Sequence, residues 1–150
     1  MALAGPTGGE VVAGEGVVSN PDALTTRIDQ ASQHLELNWS TFDVAANESV
    51  LFQQPDASAI ALNRVVGADP SQIFGKLTAN GQVFLTNPAG VLFAPGARVD
   101  VGGLLASTLS MSVDDFMSGR YLLRGEGGGA ITNHGVIRAL PKGYVALIAP

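Results

Sequence analysis

The stretch LTNPAGVLFAPGARVDVGGL, residues 85–104, decides the fold. It carries two charges in twenty residues and is cut by Gly and Pro into short pieces, the longest of them ARVDV with five residues. Around it the pattern has period two, the period of a half-buried strand. From Leu77 the odd positions run Leu77, Ala79, Gly81, Val83, Leu85, Asn87, Ala89, Val91, Phe93, Pro95, Ala97, Val99 and Val101, while the even ones include Thr78, Asn80, Gln82, Thr86, Arg98 and Asp100. The cleanest strand is 97–101, with Ala97, Val99 and Val101 inward and Arg98 and Asp100 outward.

Between the strand pieces stands Asn87-Pro88-Ala89-Gly90. Asn at the first position, Pro at the second and Gly at the fourth spell a type I turn, and Ala at the third argues against type II. The Asn side chain can close such a turn by accepting from the backbone two residues on.

Alternation returns at Ile131, Asn133, Gly135 and Ile137 and again at Val145 and Leu147. With short gaps, TNPAGVLFAPGARVDV (86–101) aligns with TNHGVIRALPKGYVAL (132–147), which puts Asn87 and Asn133 at equivalent positions. Imperfect repetition of short strands and Gly turns marks a solenoid, in which each coil stacks on the last. The expectation is an all-β solenoid, with Asn side chains hydrogen-bonding from coil to coil.

The N-terminal half repeats less clearly. EVVAGEGVVS (10–19) reads as two short strands, and HLELNWSTFDVA and SVLFQQ as further ones. This half, with Trp39 and Phe42, is expected to cap one end. DPSQIFG (69–75) reads as a turn or a single helical turn. A short helix is expected near 112–118, with Ser112 as N-cap, Asp114 and Asp115 in its first turn and Gly119 as its stop. The chain stops in what reads as mid-coil, as a leading piece of a longer protein would.

Composition bounds the function. The 150 residues suffice for one cored domain, and no linker divides them. The net charge is −5, and the eight Lys and Arg are scattered singly, which argues against nucleic acid. There is no Cys, hence no disulfide and no thiolate chemistry. Ala2-Leu3-Ala4 has the form of a signal-peptidase site. It reads either as the remnant of an export signal or as an ordinary small-residue start.

Catalytic signals are poor. Asp114 and Asp115 are helix neighbours that do not face each other. His34 and His134 lack metal-ligand spacing, so no metal is expected. Ser40, Ser107 and Ser110 lack a nucleophile context, and Gly127–Gly129 lacks the Lys of a phosphate loop and reads as a mobile turn. Arg98 and Asp100 share a strand face, the one hint of a carbohydrate-active β-helix.

The run 58–111, SAIALNRVVGADPSQIFGKLTANGQVFLTNPAGVLFAPGARVDVGGLLASTLSM, resembles the N-terminal secretion domain of filamentous-haemagglutinin-like exoproteins. So do LNWSTFDV (37–44) upstream and GAITNHGVIRALPKGYVALIAP downstream. The resemblance implies a right-handed parallel β-helix with an N-terminal β cap. It implies one two-partner-secretion domain over residues 1–150, leading a longer adhesin or toxin. It implies no enzyme activity and no cofactor. It implies Sec-dependent export and recognition by the periplasmic POTRA domains of an outer-membrane β-barrel transporter. The product would be secreted or surface-bound in a Gram-negative bacterium, its domain nucleating folding of the remainder. The family's Asn-Pro-Asn-Gly-Ile motif maps onto Asn87, Pro88, Ala89, Gly90 and Val91, with Ala for the second Asn and Val for Ile. A second motif, Asn-Pro-Asn-Leu, is absent; Asn63 and Arg64 stand in its neighbourhood, and with Asn133 they are secondary candidates. The alternative is a β-helical carbohydrate-active enzyme or a glycan-binding adhesin module.

Overall fold

The computed structural model describes residues 5–125 and 128–150. The A-x-A reading at Ala2–Ala4 and Gly127 of the triple glycine lie outside them. Fifteen strands and one helix follow in order among the described residues. They are β1 (Glu10–Ala13), β2 (Gly16–Asp22), β3 (Thr25–Gln30), β4 (His34–Trp39), β5 (Ser49–Gln53), β6 (Ile60–Val65), β7 (Ser71–Ile73), β8 (Lys76–Ala79), β9 (Gln82–Thr86), β10 (Val91–Phe93), β11 (Arg98–Val101), β12 (Gly103–Ser107), α1 (Val113–Met117), β13 (Ile131–Asn133), β14 (Val136–Ala139) and β15 (Val145–Ile148).

The strands sort into three sheets that run along one stack. One has the order β1-β4-β6-β9-β12-β15, the second β2-β3-β5-β8-β11-β14 and the short third β7-β10-β13. From β3 onward every pairing is parallel; only β1 with β4 and β2 with β3 are antiparallel. This is a parallel β-helix whose first two strands turn back as a β cap.

Its register follows the period-two pattern. Leu35, Ala61, Val83 and Leu104 lie one above another in the first sheet and are fully buried. Thr26, Val50, Leu77 and Val99 do the same across the second. Strand neighbours sit about 4.8 Å apart, so each column is a continuous apolar seam. Odd positions from Ser71 to Val101 are buried apart from Ala89 and Pro95.

Two expectations change here. The N-terminal half is not a cap: β3, β4, β5 and β6 are coils in the same ladders, and only β1 and β2 close the end. Irregular turns hid this, because Trp39 and Phe42 belong to the core, packed edge to face at 5.5 Å. DPSQIFG is also not a helical turn. Its Ser71-Gln72-Ile73 forms β7, since Ser71 and Ile73 are fully buried beneath Val91 and Phe93. Bends flank it, at 67–69 before and at Gly75 after.

The coil-to-coil step runs from 20 to 27 residues until β12, then rises to about forty. Ile131 lies over Val91 and Val145 over Leu104. The extra chain leaves the stack after Ser107 and folds over the outer face of the first sheet, carrying α1. The helix starts as expected: the Ser112 hydroxyl accepts from the Asp115 amide at 3.1 Å, and Gly119 has positive φ. Phe116 and Met111 pack on Ile60, Leu62, Phe84 and Leu105 to form a second core.

Asn63 falls in the inward column between Leu37 and Leu85. Its Oδ1 accepts from the Trp39 indole at 2.9 Å, and its Nδ2 donates to the carbonyls of Ala61 (3.3 Å) and Phe84 (3.2 Å). Asn63→Ala strands the buried indole N–H. Urea unfolding is expected to show a loss of about 1–3 kcal/mol from that group alone, whereas Arg98→Ala on the exposed face should cost under about 0.5 kcal/mol.

Candidate functional site

Asn87 to Gly90 turn the chain from β9 into β10. The Gly90 amide donates to the Asn87 carbonyl at 2.9 Å, which closes a β-turn. Lys142 is the non-glycine residue with positive φ among those described, so Ala89 is not left-handed and type II is excluded. The Asn87 Oδ1 accepts from the Ala89 amide at 3.0 Å, as expected of an Asn in this place. Gly90 has φ of 117°, a region open to glycine.

This turn is tied to the coils on both sides. Asn87 is 0% exposed. Its Nδ2 donates to the Asp69 carbonyl and to the Ser71 hydroxyl, both at 3.0 Å, in the preceding coil. Its amide donates to the Ser107 carbonyl at 2.9 Å. On the other side the Gly129 amide donates to the Pro88 carbonyl at 3.0 Å, and the Val91 amide donates to the Ala130 carbonyl at 3.0 Å. A Cβ on Gly129 would stand 2.2 Å from the Ala89 carbonyl carbon and oxygen. Glycine there lets one coil rest on the next. Pro88 is exposed, Ala89 half-buried and Val91 buried.

Asn133 does not join this group. It stacks on Phe93, not on Asn87, and is exposed. Its Oδ1 accepts from the Gly135 amide at 2.9 Å. The two Thr-Asn segments therefore share local turn chemistry and not coil position. The insertion after Ser107 shifts the register that the alignment assumed, and no ladder joins these two Asn side chains.

Arg64 lies on the outer face of β6, under the inserted chain. Its Nε (3.3 Å) and one terminal nitrogen (3.2 Å) donate to Glu36 Oε2, and the same terminal nitrogen donates to the Met111 carbonyl. Glu36 is 1% exposed. Burial pushes its carboxyl above the usual carboxylate range, and Arg64 offsets this only in part. Four buried side-chain oxygens lack a partner among the described residues: Glu36 Oε1, Asn38 Oδ1, Thr86 Oγ1 and Thr108 Oγ1. Asn38 and Thr86 flank Arg64 in its ladder, and Thr108 opens the insertion. Each costs about 1–3 kcal/mol if left unpaired. Glu36 carries no sequence signal of its burial: alternation in β4 puts it on the outward face with His34 and Asn38, and only the later insertion covers it.

The other chemical candidates resolve into structure. His34 Nε2 lies 2.6 Å from the Tyr121 hydroxyl, and its ring meets Phe116 edge-on at 5.2 Å. It thus sits half-buried at the margin of the second core, with the Tyr121 hydroxyl as its partner. Ser107 donates from its hydroxyl to the Ile148 carbonyl at 2.8 Å. Arg98 and Asp100 pair with each other at 3.3 Å on the exposed face.

Two measurements test this geometry. Asn87→Ala removes three side-chain hydrogen bonds from a buried site and is expected to cost about 2–4 kcal/mol in urea unfolding, whereas Ala89→Asn should change stability by under about 1 kcal/mol. Glu36 holds its proton more tightly folded than unfolded, so its contribution to stability is present at low pH and lost as pH rises through its raised folded pKa. Glu36→Gln should therefore leave stability unchanged near pH 4 and raise it relative to the native chain toward pH 7.

Comparison with known proteins follows the same architecture. A family model described as TPS secretion domain matches residues 4–150. A heme/hemopexin-binding protein of Haemophilus influenzae (strain ATCC 51907 / DSM 11121 / KW20 / Rd) is 48% identical over 103 residues, which are 69% of this chain and 11% of that protein. Another heme/hemopexin-binding protein of Haemophilus influenzae is 43% identical over 99 residues, 66% of this chain and again 11% of the relative. The chain thus spans about a ninth of the length of these relatives. Among solved structures, the crystal structure of the HMW1 secretion domain from Haemophilus influenzae superposes with a TM-score of 0.82 at 33% identity, over 89% of this chain and 36% of that one. This is a secretion-domain family and not an enzyme family, and it implies a two-partner system with an outer-membrane transporter and a secreted or surface-bound product of a Gram-negative bacterium. The coil stack, the turn at Asn87 to Gly90 and these matches over nearly the whole length agree: the chain belongs to the TPS secretion domain family, the export-targeting domains of two-partner-secretion exoproteins.

Proposed function

We propose that the 150 residues act as one secretion module at the head of a longer exoprotein. It reaches the periplasm through the Sec machinery, is recognised there by the POTRA domains of its outer-membrane transporter, and carries out no catalysis. The Asn87 turn is the part of the motif on which both recognition and folding depend. The observation that carries this reading is the complete burial of Asn87. A partner cannot touch that side chain once the coils on either side have closed. Recognition through Asn87 therefore takes place on the extended chain, and folding then hides the signal.

The open end supports a second role, as template for folding. The last strands of the three sheets are β13, β14 and β15. The inward residues Val145 and Leu147 are 44% and 39% exposed, whereas Leu104 and Ala106 beneath them are fully buried. A further coil set on this end would find three strand edges already in register and an apolar stripe to cover. The relatives' heme or hemopexin binding has no counterpart argued from these residues.

The experiment is a paired binding and secretion assay with the transporter. The chain held unfolded in urea and diluted onto immobilised POTRA domains is expected to bind, and the prefolded domain to bind at least about tenfold more weakly. Asn87→Ala should reduce secretion more than Ala89→Asn does. Equal binding by both states, or equal secretion by both variants, would overturn recognition through Asn87.

A further inference from the structure

The insertion between β12 and β13 rests on the stack rather than belonging to it. Its root is closed by a two-way backbone bridge: the Ser110 amide donates to the Arg124 carbonyl (2.8 Å) and the Arg124 amide to the Ser110 carbonyl (2.7 Å). The chain between those residues is a closed loop that holds α1. Everything else holding it to the sheet is side-chain packing and a few polar contacts. These include Phe116 against His34 and Phe84, Tyr121 against His34 and Phe84, and Met111 on the apolar strip. The polar contact that crosses at its base is Arg64, which reaches from β6 to the Met111 carbonyl while pairing with Glu36 of β4.

We propose that residues 110–124 form a hinged flap that opens as a unit from an otherwise folded coil stack, with Arg64 as its latch, while the Thr108 amide keeps its bond to the Ile148 carbonyl (3.2 Å) at the root. Three observations converge on this. The closed loop has its own hinge at the Ser110–Arg124 bridge, so it can swing without breaking any ladder of the stack. The four unpartnered buried oxygens, Glu36 Oε1, Asn38 Oδ1, Thr86 Oγ1 and Thr108 Oγ1, belong to the outer face of the first sheet and to the flap's root. They lie on the face the flap packs against and at its root, and water admitted there by opening would offer them partners, which lowers the cost of opening. Partly satisfied polar networks of this kind are where local opening starts. Finally, the surface the flap covers takes residues from four successive coils: His34 and Glu36 from β4, Ile60, Leu62 and Arg64 from β6, Phe84 from β9 and Leu105 from β12. The flap can close only on four stacked coils. It follows them in sequence and seals them together, so its closure marks their completion.

Arg64 is the latch because Glu36 beneath it is a buried carboxylate. Without Arg64 that charge has no partner, and opening the flap to water is the way to relieve it. Neutralising Glu36 removes the need for a latch.

Hydrogen exchange read by mass spectrometry tests this on the native chain, on Arg64→Met and on the double variant Glu36→Gln/Arg64→Met. In the native chain the amides of 110–124 should exchange at least about tenfold faster than those of β9 and β12, by an opening that exposes little surface and so depends weakly on urea. Arg64→Met should speed flap exchange about tenfold or more and leave β8 and β11 unchanged, while the double variant should return it to near the native rate. In pulse-labelled refolding the flap amides should become protected no earlier than those of β12. Flap exchange as slow as that of β9 in the native chain would overturn the proposal, even were Arg64→Met not to fold. So would acceleration of all strands together, no rescue by Glu36→Gln, or flap protection before β12.

Discussion

A coil of 20 to 27 residues cannot bury its own apolar stripe, and every other feature of this molecule answers to that constraint. The stripe is two or three residues per face, too few to hold a coil closed alone. It becomes a core only when the next coil repeats it in the same register, as Leu35, Ala61, Val83 and Leu104 do. A slip of one residue would turn Val83 outward and Phe84 inward for the whole strand. Register is therefore held at the corners as well as the faces. Asn87 reaches back to Asp69 and Ser71, Gly129 lies flat on the Ala89 peptide, and Asn63 fastens the Trp39 indole from inside the stack. Polar side chains at 0% exposure are costly unless fully paired, and these two Asn residues meet that demand with three side-chain hydrogen bonds each.

Much of this was legible in the sequence, for physical reasons that can be named. Period two survives as long as turns insert an even shift, and from Ser71 to Val101 it does. Turn type was readable because Pro88 and Gly90 leave few choices, and α1 because Ser112 and the acids after it are a start signal that needs no tertiary context. The family resemblance rested on whole motifs in order, and the matches bear it out.

The differences between sequence and structure share one cause: local chemistry does not fix position in the stack. Thr-Asn at 86–87 and at 132–133 makes the same side-chain turn, yet Asn133 sits over Phe93 because the flap lengthens one coil. Ser71 and Ile73 look like part of a Pro-led turn, and only the coil above makes them a strand. Trp39 and Phe42 look like lid residues in a region of weak repetition, but their partners, Asn63 and the core, lie a coil away. Arg64 was noticed for its place near a missing motif. Its role depends on Glu36, twenty-eight residues earlier, and on a carbonyl that only the folded flap brings near.

The complete burial of Asn87 means that any recognition through its side chain has to precede folding. The proposed recognition motif is also the corner that fastens one coil to its neighbours, so under that proposal the two uses exclude each other in time. Ala89 fits that logic: it keeps the backbone of the turn and gives up only a side chain that, half-exposed, contributes nothing to the hydrogen bonds holding the corner. The chain carries no disulfide that would fix it early. Each coil buries its stripe only against a neighbour already formed, and each closure removes more of the extended chain from reach. Under the proposal, an export signal placed in such a corner is hidden as the coils close around it, because the folded stack leaves Asn87 with no exposed surface.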